Sequence, residues 1–123
     1  MRVHPPAPPL AFVPMGWLLR DGEVLASLEV ADTRPARRRG LLGRSSFDGA
    51  LLLSPARSVH TIGMQFPIDV AWLDDDLTVL RTACLRRHRL SRPVVRARSV
   101  LEAEAGTFAR WGLVVGQQLE RED

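Results

Sequence analysis

Arg57-Ser58-Val59-His60-Thr61-Ile62-Gly63-Met64-Gln65-Phe66-Pro67-Ile68-Asp69-Val70-Ala71-Trp72-Leu73-Asp74 is the run on which the reading of this chain turns. In its second half Ile68, Val70 and Trp72 alternate with Asp69, Ala71 and Leu73. A strand that is apolar on both faces belongs in the middle of a sheet, so Asp69 should be at least partly buried. Its first half crowds Arg, Ser, His and Thr against that strand, with Met64 and Phe66 between. Pro67 suits the first residue of a strand, and the Phe66-Pro67 bond is one that could be cis. Asp74-Asp75-Asp76 reads as a turn, and the alternating residues 77–85 complete a hairpin with residues 68–73.

Working outward, residues 17–20 form a short strand. Asp21-Gly22 is a hairpin turn signal, and residues 23–31 return with Val24, Ala26, Leu28 and Val30 on one face. Asp32 or Thr33 can cap a helix with Pro35 in its first turn, running through Arg37, Arg38 and Arg39 to Leu42 and stopped by Gly40 or Gly43. Residues 50–53 are continuously apolar and read as a buried strand. Towards the C-terminus a strand at 99–103, a short helix at 108–111 between Gly106-Thr107 and Gly112, and a last strand at 117–120 follow. Strands dominate without regular β/α alternation, which argues against a doubly wound sheet. The expected fold is α+β, mostly antiparallel β: a small barrel-like or curled sheet with two or more short helices. Residues 1–14 read as a proline-rich tail, 15–120 as one domain and 121–123 as an acidic tail.

Composition narrows the function classes. With 123 residues, 46% hydrophobic and 25% charged, the chain can bury one core without staples and is not disordered as a whole. Cys84 is the single cysteine, so no internal disulfide forms, and no Cys/His spacing points to zinc. No motif points to a cofactor. No apolar run approaches the ~20 residues that cross a bilayer. Residues 10–19 are mostly apolar, but Pro14 and Gly16 interrupt them and no small-residue cleavage pattern follows, so the expected location is cytoplasmic. Every basic residue is arginine, yet the formal net charge is only +3.

The candidate site lies in the opening run. A buried Asp69 must find partners, and Arg57, Ser58, His60 and Thr61 are the nearest in sequence. His60 falls near Met64 whether the segment is extended or one helical turn, a pair that would suit a soft metal ion. Ser58, His60 and Asp69 supply the residue types of a hydrolytic triad. However, Ser58 and His60 are two apart, and neither a nucleophile elbow nor an oxyanion loop is present. Arginines cluster twice. Arg34, Arg37, Arg38, Arg39 and Arg44 surround the first helix, and seven arginines, among them Arg86, Arg87 and Arg89, fall in residues 81–98 with no acid. Such segments can neutralise phosphates, but no aromatic side chains are interleaved to stack bases.

Three separated stretches resemble one family. Ser58-Val59-His60-Thr61, Met64, Phe66-Pro67-Ile68-Asp69-Val70 and Leu73-Asp74 are similar to the central motif of the bacterial and archaeal family called domain of unknown function 192, also catalogued as uncharacterised protein family 0127. Thr33, Arg37, Arg39-Gly40-Leu41-Leu42 and Arg44 resemble its Arg-Gly-Leu-Met segment, with Leu42 where Met is common. Val100-Leu101-Glu102, Ala105-Gly106-Thr107, Gly112-Leu113 and Val115-Gly116 resemble its C-terminal segment, with Glu104 in place of a usual proline. The resemblance covers roughly residues 22–120. It implies a β-rich single domain with no catalytic residues or cofactor assigned, in a family of which many members look exported or anchored.

The leading expectation is a binding module rather than an enzyme. Arg57, Ser58, His60, Thr61, Met64 and Asp69 would line a small polar pocket for an anionic small molecule or a peptide carboxylate. A nucleic-acid surface using Arg37, Arg38, Arg39, Arg86, Arg87 and Arg89 is the alternative. A hydrolase-like or metal site at His60, Asp69 and Met64 is a further one.

Overall fold

The structure is a computed structural model that describes residues 16–123; the proline-rich stretch lies outside the described residues. Seven strands form one sheet: β1 (Gly16–Arg20), β2 (Glu23–Ala31), β3 (Ala50–Leu53), β4 (Ile68–Leu73), β5 (Val79–Leu85), β6 (Ser99–Glu104) and β7 (Glu120–Glu122). Their order is β5-β4-β6-β3-β2-β1-β7. All neighbours are antiparallel except β2 and β3. A parallel pair needs a crossover, and here it contains helix α1 (Arg34–Arg39). The second helix, α2 (Thr107–Trp111), follows β6.

Local chemistry accounts for most element boundaries. Asp21 and Gly22 both take positive φ (52° and 81°), as the tight β1–β2 turn requires. Thr33 caps α1 by accepting the Ala36 amide at 3.2 Å, Pro35 sits in the first turn, and Gly40 ends the helix. Asp74 Oδ1 accepts the amides of Asp76 and Thr78, each at 2.9 Å, and closes the β4–β5 turn.

The sheet is curled but not closed into a barrel. Its two ends approach through an isolated bridge between Thr78 and Gln118, and through the amides of Leu119 and Val79, which donate to Leu77 and Gln117. The concave side holds one core: Leu18, Leu28, Leu52, Leu73, Val79, Leu101 and Leu119, covered by Phe108 of α2 and by Leu113. The convex side holds a second: Leu51, Leu53, Ile68, Val70, Trp72 and Val100, covered by Leu41 after α1 and by Val59, Met64 and Phe66 of the loop before β4. A sheet buried on both faces explains why β3 and β4 are buried at every position.

Three expectations change. A bulge between Leu18 and Leu19 makes Leu25 the extra residue of β2, so Leu25 packs on the concave core while Val24 is 54% exposed. The last strand is Glu120–Glu122, paired with β1, rather than 117–120; residues 116–119 are held by β5 instead. Among the described residues the cis peptide is Ser54-Pro55, so Phe66-Pro67 is trans.

Candidate functional site

The expected site residues divide between the two faces of the sheet. Alternation along β4 puts Ile68, Val70 and Trp72 on the convex core and Asp69 on the concave side, away from the loop carrying His60. There the Asp69 carboxylate accepts the amides of Gly106 (3.0 Å) and Phe108 (2.9 Å). It thereby fastens the start of α2 to the sheet. The expected partnership of Asp69 with Arg57, Ser58, His60 and Thr61 does not form, and with it goes the Ser58–His60–Asp69 triad. Across the ladder from Asp69 lies Cys84. Loss of hydration raises its thiol pKa, and the neighbouring Asp69 carboxylate raises it further by charge and by a hydrogen bond.

Arg57 and Thr61 are also structural. The Arg57 Nε donates to the Ala97 carbonyl at 3.1 Å, and its own carbonyl accepts the Trp72 indole N–H at 2.9 Å. Thr61 is fully buried. Its hydroxyl donates to Arg86 O at 2.6 Å and accepts the Arg89 amide at 2.8 Å, which binds the 60–64 loop to the 86–90 turn.

His60, Ser58 and Met64 do meet in a cavity on the convex face, of about 60 Å³. Arg37, Arg39, Gly40 and Leu42 from α1 and its exit roof it, and Glu102 of β6 forms part of its floor. Glu102 is 3% exposed. It lies in register between Leu51 of β3 and Val70 of β4, so apolar side chains flank it along the sheet. Burial alone pushes its carboxyl up to about 7. Glu102 Oε1 and His60 Nδ1 are both buried atoms without a hydrogen-bond partner among the described residues. Two such atoms on residues that line one cavity are unusual, because folded proteins satisfy nearly all their buried polar groups. Gly40 fits the roof closely. Its φ of 49° favours glycine, and a Cβ there would stand 3.4 Å from Glu102 Oε1.

Glu102 was missed as a site residue although its signal was present. It is an acid inside the apolar run Ser99-Val100-Leu101-Glu102-Ala103, with the parity of Val100.

The two arginine groups bracket the 60–64 loop. On one side a Cβ on Gly63 would approach Leu42 to 3.3 Å, next to α1. On the other, Arg87 Nε donates to Met64 O at 2.9 Å, and the Gly63 amide donates to His88 Nδ1 at 3.2 Å. Arg37 is tied down, donating to Asp32 O at 2.8 Å, while Arg86 and Arg89 are exposed. The side chains of Arg34, Arg38 and Arg39 have no hydrogen bond or ion pair to any described residue. Among the described residues no group of three or more His, Cys, Asp or Glu side chains is placed to hold a metal ion, and no helix is long and apolar enough to cross a membrane.

A family model described as Uncharacterized ACR, domain of unknown function 192, matches residues 17–121. The chain belongs to this family. Two solved structures share the fold of this domain of unknown function 192 protein. A protein of unknown function from Novosphingobium aromaticivorans DSM 12444 is 19% identical, with a TM-score of 0.73 over 96% of this chain and 93% of that one. A protein described as a putative transcription regulator from Sinorhizobium meliloti 1021 is 22% identical, with a TM-score of 0.71 over 87% of this chain and 92% of that one. Among curated proteins none matches.

Proposed function

We propose that this domain of unknown function 192 protein is a binding module whose site is the convex-face cavity, and that it takes a small anionic group such as a carboxylate. The observation that carries this reading is the pair of buried, unpartnered polar atoms, Glu102 Oε1 and His60 Nδ1, on two residues that line one cavity. The charged and titratable groups around them are Arg37 and Arg39 on α1 and His60 itself. Two arginines in the cavity wall oppose a cation and favour an anion. Below about pH 7 the Glu102 carboxyl is neutral and donates to a bound carboxylate, the two acids sharing one proton.

A thermal-shift titration with acetate, propionate, succinate and inorganic phosphate tests the reading, run on the wild type and on Glu102→Met, which keeps the side-chain volume without the acid. Protection by a carboxylate, weakening as pH rises through about 7 and absent in Glu102→Met, is expected. Absence of protection by any of the four, or protection retained in the variant, sinks it.

A second reading is nucleic-acid binding by the arginines on either side of the 60–64 loop. The Sinorhizobium meliloti neighbour described as a putative transcription regulator favours it. Elution from heparin at low salt would count against it.

A further inference from the structure

Two residues of the cavity's roof serve a second concavity as well. Arg39 and Leu42 also line a second, open groove of about 530 Å³, formed with Arg34, Pro35, Arg38 and Gly43 along the outer side of α1. We infer that the natural ligand is the free C-terminal segment of an acidic peptide, its terminal carboxylate in the Glu102–His60 cavity and its preceding residues along the α1 groove. This rests on the carboxylate reading above and extends it to a partner class.

Size sets the division of the ligand. About 60 Å³ holds one carboxylate-sized group, the space of a few waters, so anything larger must extend out of the cavity. The neighbouring groove has the volume of an ordinary ligand site and shares two wall residues with the cavity. Charge sets the ligand's character. Among the described residues three arginines line the groove and no acid does, and none of the three side chains is neutralised by a described residue. Pro35, Leu42 and the arginine stems give it an apolar floor. An acidic segment with an occasional aliphatic side chain complements both features. Capture of a terminal carboxylate is an established mode of peptide recognition. A nucleic-acid strand fits less well. Its internal phosphodiesters cannot enter a cavity of this size while the chain continues on both sides, and among the described residues no aromatic ring lines the groove to stack a base.

Fluorescence anisotropy provides the test. The probe is a pool of N-terminally fluorescein-labelled hexapeptides of Asp, Glu, Leu and Val with free C-terminal carboxylates; the same pool is also made as C-terminal amides. Propionate binding, read from the His60 ring resonances by NMR, reports the cavity alone. The free-acid pool should bind at least about tenfold more tightly than the amide pool. The double charge reversal Arg34→Glu with Arg38→Glu, both exposed positions, should weaken the peptides at least about tenfold while changing propionate affinity by less than about threefold. Equal binding of acid and amide pools overturns the inference, as does indifference to the charge reversal. Propionate binding without tighter peptide binding overturns the peptide but leaves the cavity reading intact. Failure of both probes overturns both. Displacement of the peptides by single-stranded oligothymidylate at lower concentration than by unlabelled acidic peptide overturns the inference in favour of nucleic acid.

Discussion

Asp69 and Glu102 are buried acids on adjacent strands, one residue out of register with each other, and they face opposite sides of the sheet. Asp69 has two backbone amides in its grasp and holds α2 in place. Glu102 has an oxygen with no partner and a carboxyl pushed up to about 7. The same chemical group, buried in both places, is a fastener on one face and an acid with an unpartnered oxygen on the other. Burial alone does not tell the two apart. What distinguishes them is whether the protein supplies the hydrogen bonds itself.

The comparison breaks first at Asp69. Asp69→Ala leaves two amides at the start of α2 without an acceptor and should cost about 3 kcal/mol, while Asp69→Asn, which keeps an acceptor oxygen, should cost clearly less. Urea denaturation of the two variants measures this, and equal losses would mean that the fastening role is wrong.

The second prediction concerns Glu102 and has the opposite sign. Its carboxyl ionises near 7 in the folded state and near 4.5 when unfolded, so the native state holds the extra proton between those values. Stability contributed by this group is therefore complete below about 4.5 and is lost as pH rises through about 7, by roughly 3 kcal/mol. Glu102→Gln should flatten that slope and be more stable than the wild type at pH 8. Denaturation curves at pH 5 and pH 8 decide it; an unchanged slope in the variant would assign the pH dependence elsewhere.

The smallest effect is expected at the roof. Gly40→Ala places a side chain at φ of 49° beside Glu102 and should cost about 1–2 kcal/mol. It should also weaken carboxylate protection, since the substituted turn moves α1 against the cavity. Loss of stability with unaltered carboxylate binding would separate the roof from the site.

Much of this was legible in the sequence where the signal is local. Thr33, Pro35 and Gly40 bound α1 as their backbone preferences dictate, and Asp21-Gly22 makes its turn. Alternation correctly separated Asp69 from Ile68, Val70 and Trp72. What alternation cannot say is which face a preceding loop will cover, so the loop with His60 was assigned to the wrong side for Asp69. The convergence of His60, Glu102 and α1 on one cavity depends on the parallel β2–β3 crossover, which brings residues 37–42, 58–64 and 102 together. No spacing in the chain encodes that meeting. The bulge at Leu25 likewise reverses parity within β2 with no glycine or proline to mark it.

The pairing of β1 with β7 has a consequence for how the chain is made. Trp17 aligns with Glu122, so the outer edge of β1 gains its neighbour only after nearly all the described chain has been synthesised. Until then no described strand pairs with that edge of the β1–β2 hairpin, a row of amides and carbonyls beside a partly exposed tryptophan. A nascent chain stalled before residue 120 would carry that edge open, and a second stalled chain offers the nearest strand to fill it.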